Sequence, residues 1–263
     1  IARRPSGGKV PRVDPQWDEN KARDLDVKAA RARDAVDRLE AVEQPRKEWQ
    51  LRFAIKEAPP SADVVLTLDA AVARNGAFEV GPVSAQVERG DRVALVGPNG
   101  SGKTTLLECV LGRRTPASGR ISWGTRTAVG VLDQDRSVIS GPRPLLEVAA
   151  GALGSTDTAS VRTLLAKFGL GAEHVDRPCS TLSLGERTRA ALAVLQGREV
   201  NVLVLDEPTN HADVEAIEQL QDALVAFGGT VLIVTHDRTL AEAFAPTVTW
   251  SFERHGDRAR VSA

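Results

Sequence analysis

The run Arg92-Val93-Ala94-Leu95-Val96 passes directly into Gly97-Pro98-Asn99-Gly100-Ser101-Gly102-Lys103-Thr104 and then into a leucine-rich stretch reaching Leu111. The short apolar run reads as a strand, the glycine cluster as a turn and Lys103 to Leu111 as a helix. The turn fits G-x-x-x-x-G-K-[ST], in which small residues let backbone N–H groups converge on phosphate oxygens that a side chain would keep away. Lys103 then supplies a point charge for β- and γ-phosphates, Thr104 a hydroxyl for Mg²⁺, and the helix N-terminus a favourable dipole. Gly97, Asn99, Gly100, Ser101, Gly102, Lys103, Thr104 and Thr105 are the candidate nucleotide cradle.

Other apolar runs, at Val64 to Leu68, Val83 to Val87, Ala128 to Leu132, Val202 to Leu205 and Thr230 to Val234, alternate with helical patterns, as an α/β sheet requires. Val202-Leu203-Val204-Leu205-Asp206-Glu207 reads as a buried parallel strand ending in two acids, which places both carboxylates where a sheet's C-terminal edge meets a phosphate loop. Asp206 is the candidate metal ligand through water. Glu207 is the candidate general base or water-positioner for in-line attack on phosphorus.

Composition sets the surroundings. With 263 residues and a net charge of −1, the chain can hold one large domain plus an appendage and gives no global reason to expect nucleic acid. Cys109 and Cys179 have neither CxxC nor His-paired spacing, so they are expected to be free buried thiols in a reducing compartment, with no metal cluster. No apolar stretch is long enough to span a bilayer and no signal peptide opens the chain, so a cytoplasmic protein without membrane insertion is expected. With no methionine and Ile1 at its head, the chain is expected to be a piece of something longer.

Composition changes near Pro59-Pro60, which divides a charged arm, 1–62, from an ATPase domain, 63–263. Arg3, Arg4, Lys9 and Arg12 stand in a Pro/Gly-rich segment that reads as an exposed loop. From Glu19 to Glu43, Leu25, Ala29, Ala32, Val36 and Leu39 form one helical stripe that Pro45 ends. This helix is either a solvated linker or a functional arm.

Together with Thr181-Leu182-Ser183-Leu184-Gly185-Glu186, the two phosphate motifs resemble the ATP-binding cassette (ABC) superfamily, whose signature reads LSGGQ or LSGGE. The resemblance implies an ABC-type P-loop ATPase domain with a mixed sheet core, an antiparallel β subdomain and a helical subdomain. It also implies that Ser183, Gly185 and Glu186 cap the γ-phosphate of ATP held by a second cassette, either an N-terminal half of the protein or a homodimer mate. Leu184 stands where the family has its first signature glycine. Gln134 matches the Q-loop glutamine, which senses magnesium and the attacking water. His236, in Val234-Thr235-His236-Asp237, matches the switch histidine, and Asp213 the D-loop aspartate that couples paired sites. For the adenine, Phe78 and the guanidinium of Arg74 are alternative stacking partners, since Arg74 and Asn75 occupy the family's aromatic position.

Glu207-Pro208-Thr209-Asn210-His211-Ala212-Asp213 looks like the ABC-F branch, which lacks membrane-spanning domains, and His211 is its marker. The branch implies a helical hairpin between two cassettes, with segment 1–62 as its returning half and Pro45 to Trp49 as the junction. It further implies a ribosomal partner, met through rRNA or tRNA by the basic loop, and a role in translation or antibiotic resistance, macrolides included. The ATP-binding subunit of a drug exporter is the alternative. A chromosome-maintenance ATPase is disfavoured because no long coiled coil fits between Lys103 and Ser183.

Overall fold

The computed structural model describes residues 59–210, 214–236, 240–241 and 244–263. The basic loop, the Glu19 to Glu43 stripe, the Pro45 to Trp49 junction, His211 and Asp213 lie outside the described residues.

Strands β1 (Val64–Asn75) and β2 (Phe78–Glu88) form an antiparallel hairpin turning at Gly76-Ala77, and β3 (Arg92–Val96) follows. The first two run further than the apolar runs Val64 to Leu68 and Val83 to Val87 suggest, because their remaining positions alternate between core and solvent. Helix α1 (Lys103–Val110) leaves the phosphate loop, and β4 (Ser118–Trp123) returns to pair antiparallel with β1. After β5 (Val129–Leu132) the chain builds α2 (Leu145–Leu153), α3 (Thr158–Lys167), α4 (Ala172–Val175) and α5 (Leu184–Gly197). Then come β6 (Val202–Asp206), α6 (Val214–Ala226), β7 (Thr230–Val234) and a final hairpin of β8 (Val248–His255) and β9 (Arg258–Ser262).

The strands form one nine-stranded sheet in the order β4-β1-β2-β9-β8-β3-β7-β6-β5. From β8 to β5 all neighbours are parallel, whereas β1 pairs antiparallel with β2 and β4, and β8 with β9. The antiparallel and parallel halves join through β2 and β9, parallel at Glu79↔Arg258 and Val80↔Ala259. The result is a mixed sheet with an antiparallel portion and a layer of helices packed on it, the architecture the sequence resemblance implies.

Side-chain alternation explains why the central strands are apolar throughout. On β6, Val202 and Val204 pack with Leu106, Leu107 and Trp250, while Leu203 and Leu205 join the cluster holding Ala190 to Leu195 of α5 and Leu220 of α6. Both faces are therefore covered. Cys109 and Cys179 are free and buried, and burial raises both thiols. Among the described residues no helix is long and apolar enough to cross a membrane.

Candidate functional site

Parallel register brings the chemistry together. Gly97 follows β3, Gln134 follows β5, Glu207 follows β6 and His236 follows β7, so all four stand at the C-terminal edge of the same strands. That edge is where α/β sheets receive ligands.

The loop between β3 and α1 closes tightly. Gly102 has φ +90°, and a Cβ there would come within 2.2 Å of Val80 Cγ2 and 2.9 Å of Phe78 Cε1. Only glycine meets both conditions. Lys103, 6% exposed, donates from Nζ to the carbonyls of Gly97 (2.9 Å) and Pro98 (3.0 Å), which holds its ammonium across the loop. The buried Ser101 Oγ has no hydrogen-bond partner, and a phosphate oxygen is the kind of acceptor that would satisfy it. Asn99, Gly100, Gly102, Lys103, Thr104, Thr105, Phe78 and Glu207 line one cavity of about 430 Å³, together with Asn75 and Arg254.

Thr104 Oγ1 lies 3.5 Å from Asp206 Oδ1, so a hydroxyl from α1 faces a carboxylate from β6. This pair of hard oxygens fits Mg²⁺, which takes few protein ligands and completes its shell with water and phosphate. Burial raises the Asp206 carboxyl above the usual range, and adjacent Glu207 adds to the rise; Thr104, Lys103 and Arg113 pull the other way. An arriving cation would relieve that penalty.

Glu207 departs from the strand with φ +47°, in the left-handed region that non-glycine residues rarely enter. Its N–H donates to Val234 O (2.9 Å), and its carbonyl accepts from Asn210 N–H (3.2 Å), so both neighbours hold the turn. His236 Nδ1 lies 2.6 Å from Glu207 Oε2, with the ring N–H donating to the carboxylate. The imidazole is 57% exposed and the carboxylate 16%. This arrangement fixes one carboxylate oxygen and leaves the other able to accept a proton or orient water.

Gln134 sits in the turn after β5 and does not line the cavity; its carbonyl accepts from Arg136 Nη1 at 3.0 Å. Arg136 is the residue that sequence reasoning missed here. Only 1% exposed, it also donates to Asp133 O (2.7 Å), Pro208 O (2.6 Å) and Thr188 Oγ1 (3.1 Å). One guanidinium thus ties the Gln134 turn, the segment after Glu207 and helix α5 together. Two positions after a polar glutamine, in a loop, such an arginine carries no periodic signal of burial.

Ser183 caps α5 in a capping box: its Oγ accepts from Glu186 N–H (3.1 Å) while Glu186 Oε2 accepts from Ser183 N–H (2.8 Å). Leu184 takes the first helical position, so this turn needs no glycine there. Burial pushes the Glu186 carboxyl up, but the Ser183 amide, Arg177 and His174 outweigh it and hold the carboxyl below its ordinary range. Arg177 Nη1 and His174 Nε2 each lie 3.2 Å from Glu186 Oε1. Ser183 is exposed, and neither it nor Gly185 nor Glu186 lines the cavity. Arg74 is ion-paired with Glu79 and is absent from the cavity wall, whereas Phe78 is on it.

A protein-family profile described as ABC transporter matches residues 80–210. The chain is 37% identical over 242 residues to the ATP-binding protein Uup of Escherichia coli, covering 88% of this chain and 38% of that protein. It is 39% identical over 165 residues to the yeast ABC transporter ATP-binding protein ARB1, covering 62% of this chain and 27% of that one. Against ABC transporter F family member 5 of Arabidopsis thaliana it is 32% identical over 204 residues, with 76% and 29% covered. The chain therefore spans well under half the length of these relatives. Among solved structures, the fold matches cbiO1 of Clostridium perfringens, part of the ABC transporter complex cbiONQ (TM-score 0.59, 24% identity, 76% of this chain and 88% of that one). It also matches a bacterial Atm1-family ABC exporter with ATP bound (TM-score 0.62, 21% identity, 79% and 39%).

Proposed function

This chain belongs to the ATP-binding cassette superfamily, with relatives in its ABC-F branch, and from that premise we propose that it is one of two cassettes in a cytoplasmic ABC-F protein acting on the ribosome. The cassette binds and hydrolyses ATP. What remains is how its residues divide the work and what the hydrolysis serves.

The observation that carries the reading is a half-site. The phosphate loop, Asp206 and the Glu207–His236 pair stand at one sheet edge, while the exposed Ser183 cap does not line the cavity that the loop and Glu207 border. Ser183, Gly185 and Glu186 then serve a nucleotide held by a second cassette, whose own signature closes over Lys103. Lys103 and the loop N–H groups bind the β- and γ-phosphates. Thr104 and Asp206 would hold Mg²⁺, which would supply charge neutralisation at the transferring phosphoryl group, and Gln134 keeps the role the family resemblance implies, sensing the ion from the turn after β5. Glu207 orients the attacking water, and His236 fixes that carboxylate. Asp213 couples the paired sites. Segment 1–62 is proposed as the returning half of an interdomain arm whose basic residues meet RNA phosphates, in translation or antibiotic resistance.

The Glu207→Gln form of the chain tests this, since it should retain ATP and stay in the closed, paired state. It should co-sediment with ribosomes only when ATP is present, and wild-type specific activity should rise with protein concentration. High activity that does not change with concentration would refute shared sites. Capture of a membrane protein instead of ribosomes would favour an exporter subunit.

A further inference from the structure

Strand β8 alternates, so Trp250, Phe252 and Arg254 point to one face. Trp250 and Phe252 are buried in the core, and Phe252 packs beneath the start of the phosphate loop, 2.8 Å from where a Cβ on Gly97 would lie. Two residues further on, the same face reaches the cavity rim, and there the sequence supplies an arginine. Arg254 Cζ stands 5.0 Å over the Phe78 ring, Nη1 donates to Gly100 O (3.2 Å) and Nε to Gly256 O (3.1 Å). Two carbonyls and an aromatic ring hold the guanidinium, while the residue stays exposed and on the cavity wall.

Resting on the nucleotide-site reading above, we propose that Arg254 is the platform for the nucleotide's base, its guanidinium layered between the purine and Phe78. The carbonyls of Gly100 and Gly256 engage N–H groups in the guanidinium plane, so they set its orientation without occupying its second face. Phe78 cannot offer the base the ring face that Arg254 covers, and the edge at Cε1 abuts Gly102. Arg74, the other guanidinium near this hairpin, is committed to Glu79. Lys103 already provides the cation among the loop carbonyls, at the phosphate end of the cavity. Stacking on a guanidinium reads the flatness of a base and not its edge, so ADP and GDP should bind with similar affinity.

Calorimetric titration of ADP into the wild-type chain and three variants separates a flat surface from a charge. Arg254→Ala should weaken binding roughly 3- to 30-fold, the range of a partly desolvated cation–π contact. Arg254→Trp should restore most of the loss, and Arg254→Lys should not. Rescue by Lys and not by Trp would make Arg254 a phosphate contact and overturn the proposal, as would unchanged affinity in Arg254→Ala. Lys103→Ala is the control: if wild type binds ADP no better than that variant, the nucleotide-site reading itself falls.

Discussion

Replacing Arg136 with methionine isolates the residue that joins three functional segments. Methionine keeps the length and removes every donor. The Thr188 hydroxyl still has its bond to Leu184 O (2.9 Å), and Asp133 O still accepts from Arg136 N–H (3.2 Å), so neither is stranded. Pro208 O is left in a buried position without its donor, and Gln134 O loses one it can replace with water. An unsatisfied buried acceptor costs about 1–3 kcal/mol, and losing a bond to a charged donor about 1.5–3 kcal/mol. Against that, a buried charge no longer has to be desolvated, the effect that pulls the Arg136 pKa down, and this offsets part of the loss. A net destabilisation of about 2–4 kcal/mol follows, within the roughly 5–15 kcal/mol a domain commands, so the variant still folds. Urea unfolding should show the loss with an unchanged m-value. ATPase assays well below the transition should show kcat falling more than tenfold with KM little changed, because the turns carrying Gln134 and Glu207 lose their common anchor. A stability within 0.5 kcal/mol of wild type, or full kcat, would refute the role.

Two further substitutions test the cradle and its charge. Asp206→Asn should raise the melting temperature of nucleotide- and Mg²⁺-free protein at neutral pH while abolishing turnover. The folded carboxyl is raised, so its contribution to stability is present below the unfolded pKa and lost as pH rises through the folded one. The gap between wild type and Asp206→Asn should accordingly close on acidification to about pH 4, near the unfolded pKa; a gap that widens there would contradict it. Gly102→Ala forces a Cβ to within 2.2 Å of Val80 Cγ2 at φ +90°, and should cost about 2–4 kcal/mol and weaken ADP binding. An alanine variant of wild-type stability, measured by urea unfolding, would show the loop is looser than this.

Local pattern made some elements legible and left others hidden. The β3-turn-α1 unit and the Val202 to Glu207 strand are visible because glycine punctuation and unbroken apolar runs are local signals of a strand buried on both faces. Strands β4, β8 and β9 carry no such signal: Ser118–Trp123, Val248–His255 and Arg258–Ser262 mix charges with apolar residues because one face of each meets solvent. The capping box at Ser183 can be read as S-x-x-E before an apolar run. His174 and Arg177, which hold the same Glu186, cannot, because their partner lies beyond an intervening turn.

Missed and found residues differ in what selects them. Lys103, Thr104, Asp206 and Glu207, in the proposed site, would act on a ligand through side chains displayed by consecutive backbone, so the motif itself carries the geometry. Arg136 and Arg254 act on backbone carbonyls, each joining a neighbouring one (Gln134, Gly256) to one far along the chain (Pro208, Gly100), and any carbonyl can serve as such a partner whatever its side chain. Their sequence surroundings need no particular composition, which is why no pattern marks them. In the proposed site the two arginines would bracket the nucleotide, one anchoring the turns that carry Gln134 and Glu207 and the other facing the base. If nucleotide affinity depends on Arg254 while turnover depends on Arg136, the cavity separates binding from catalysis through residues outside every motif.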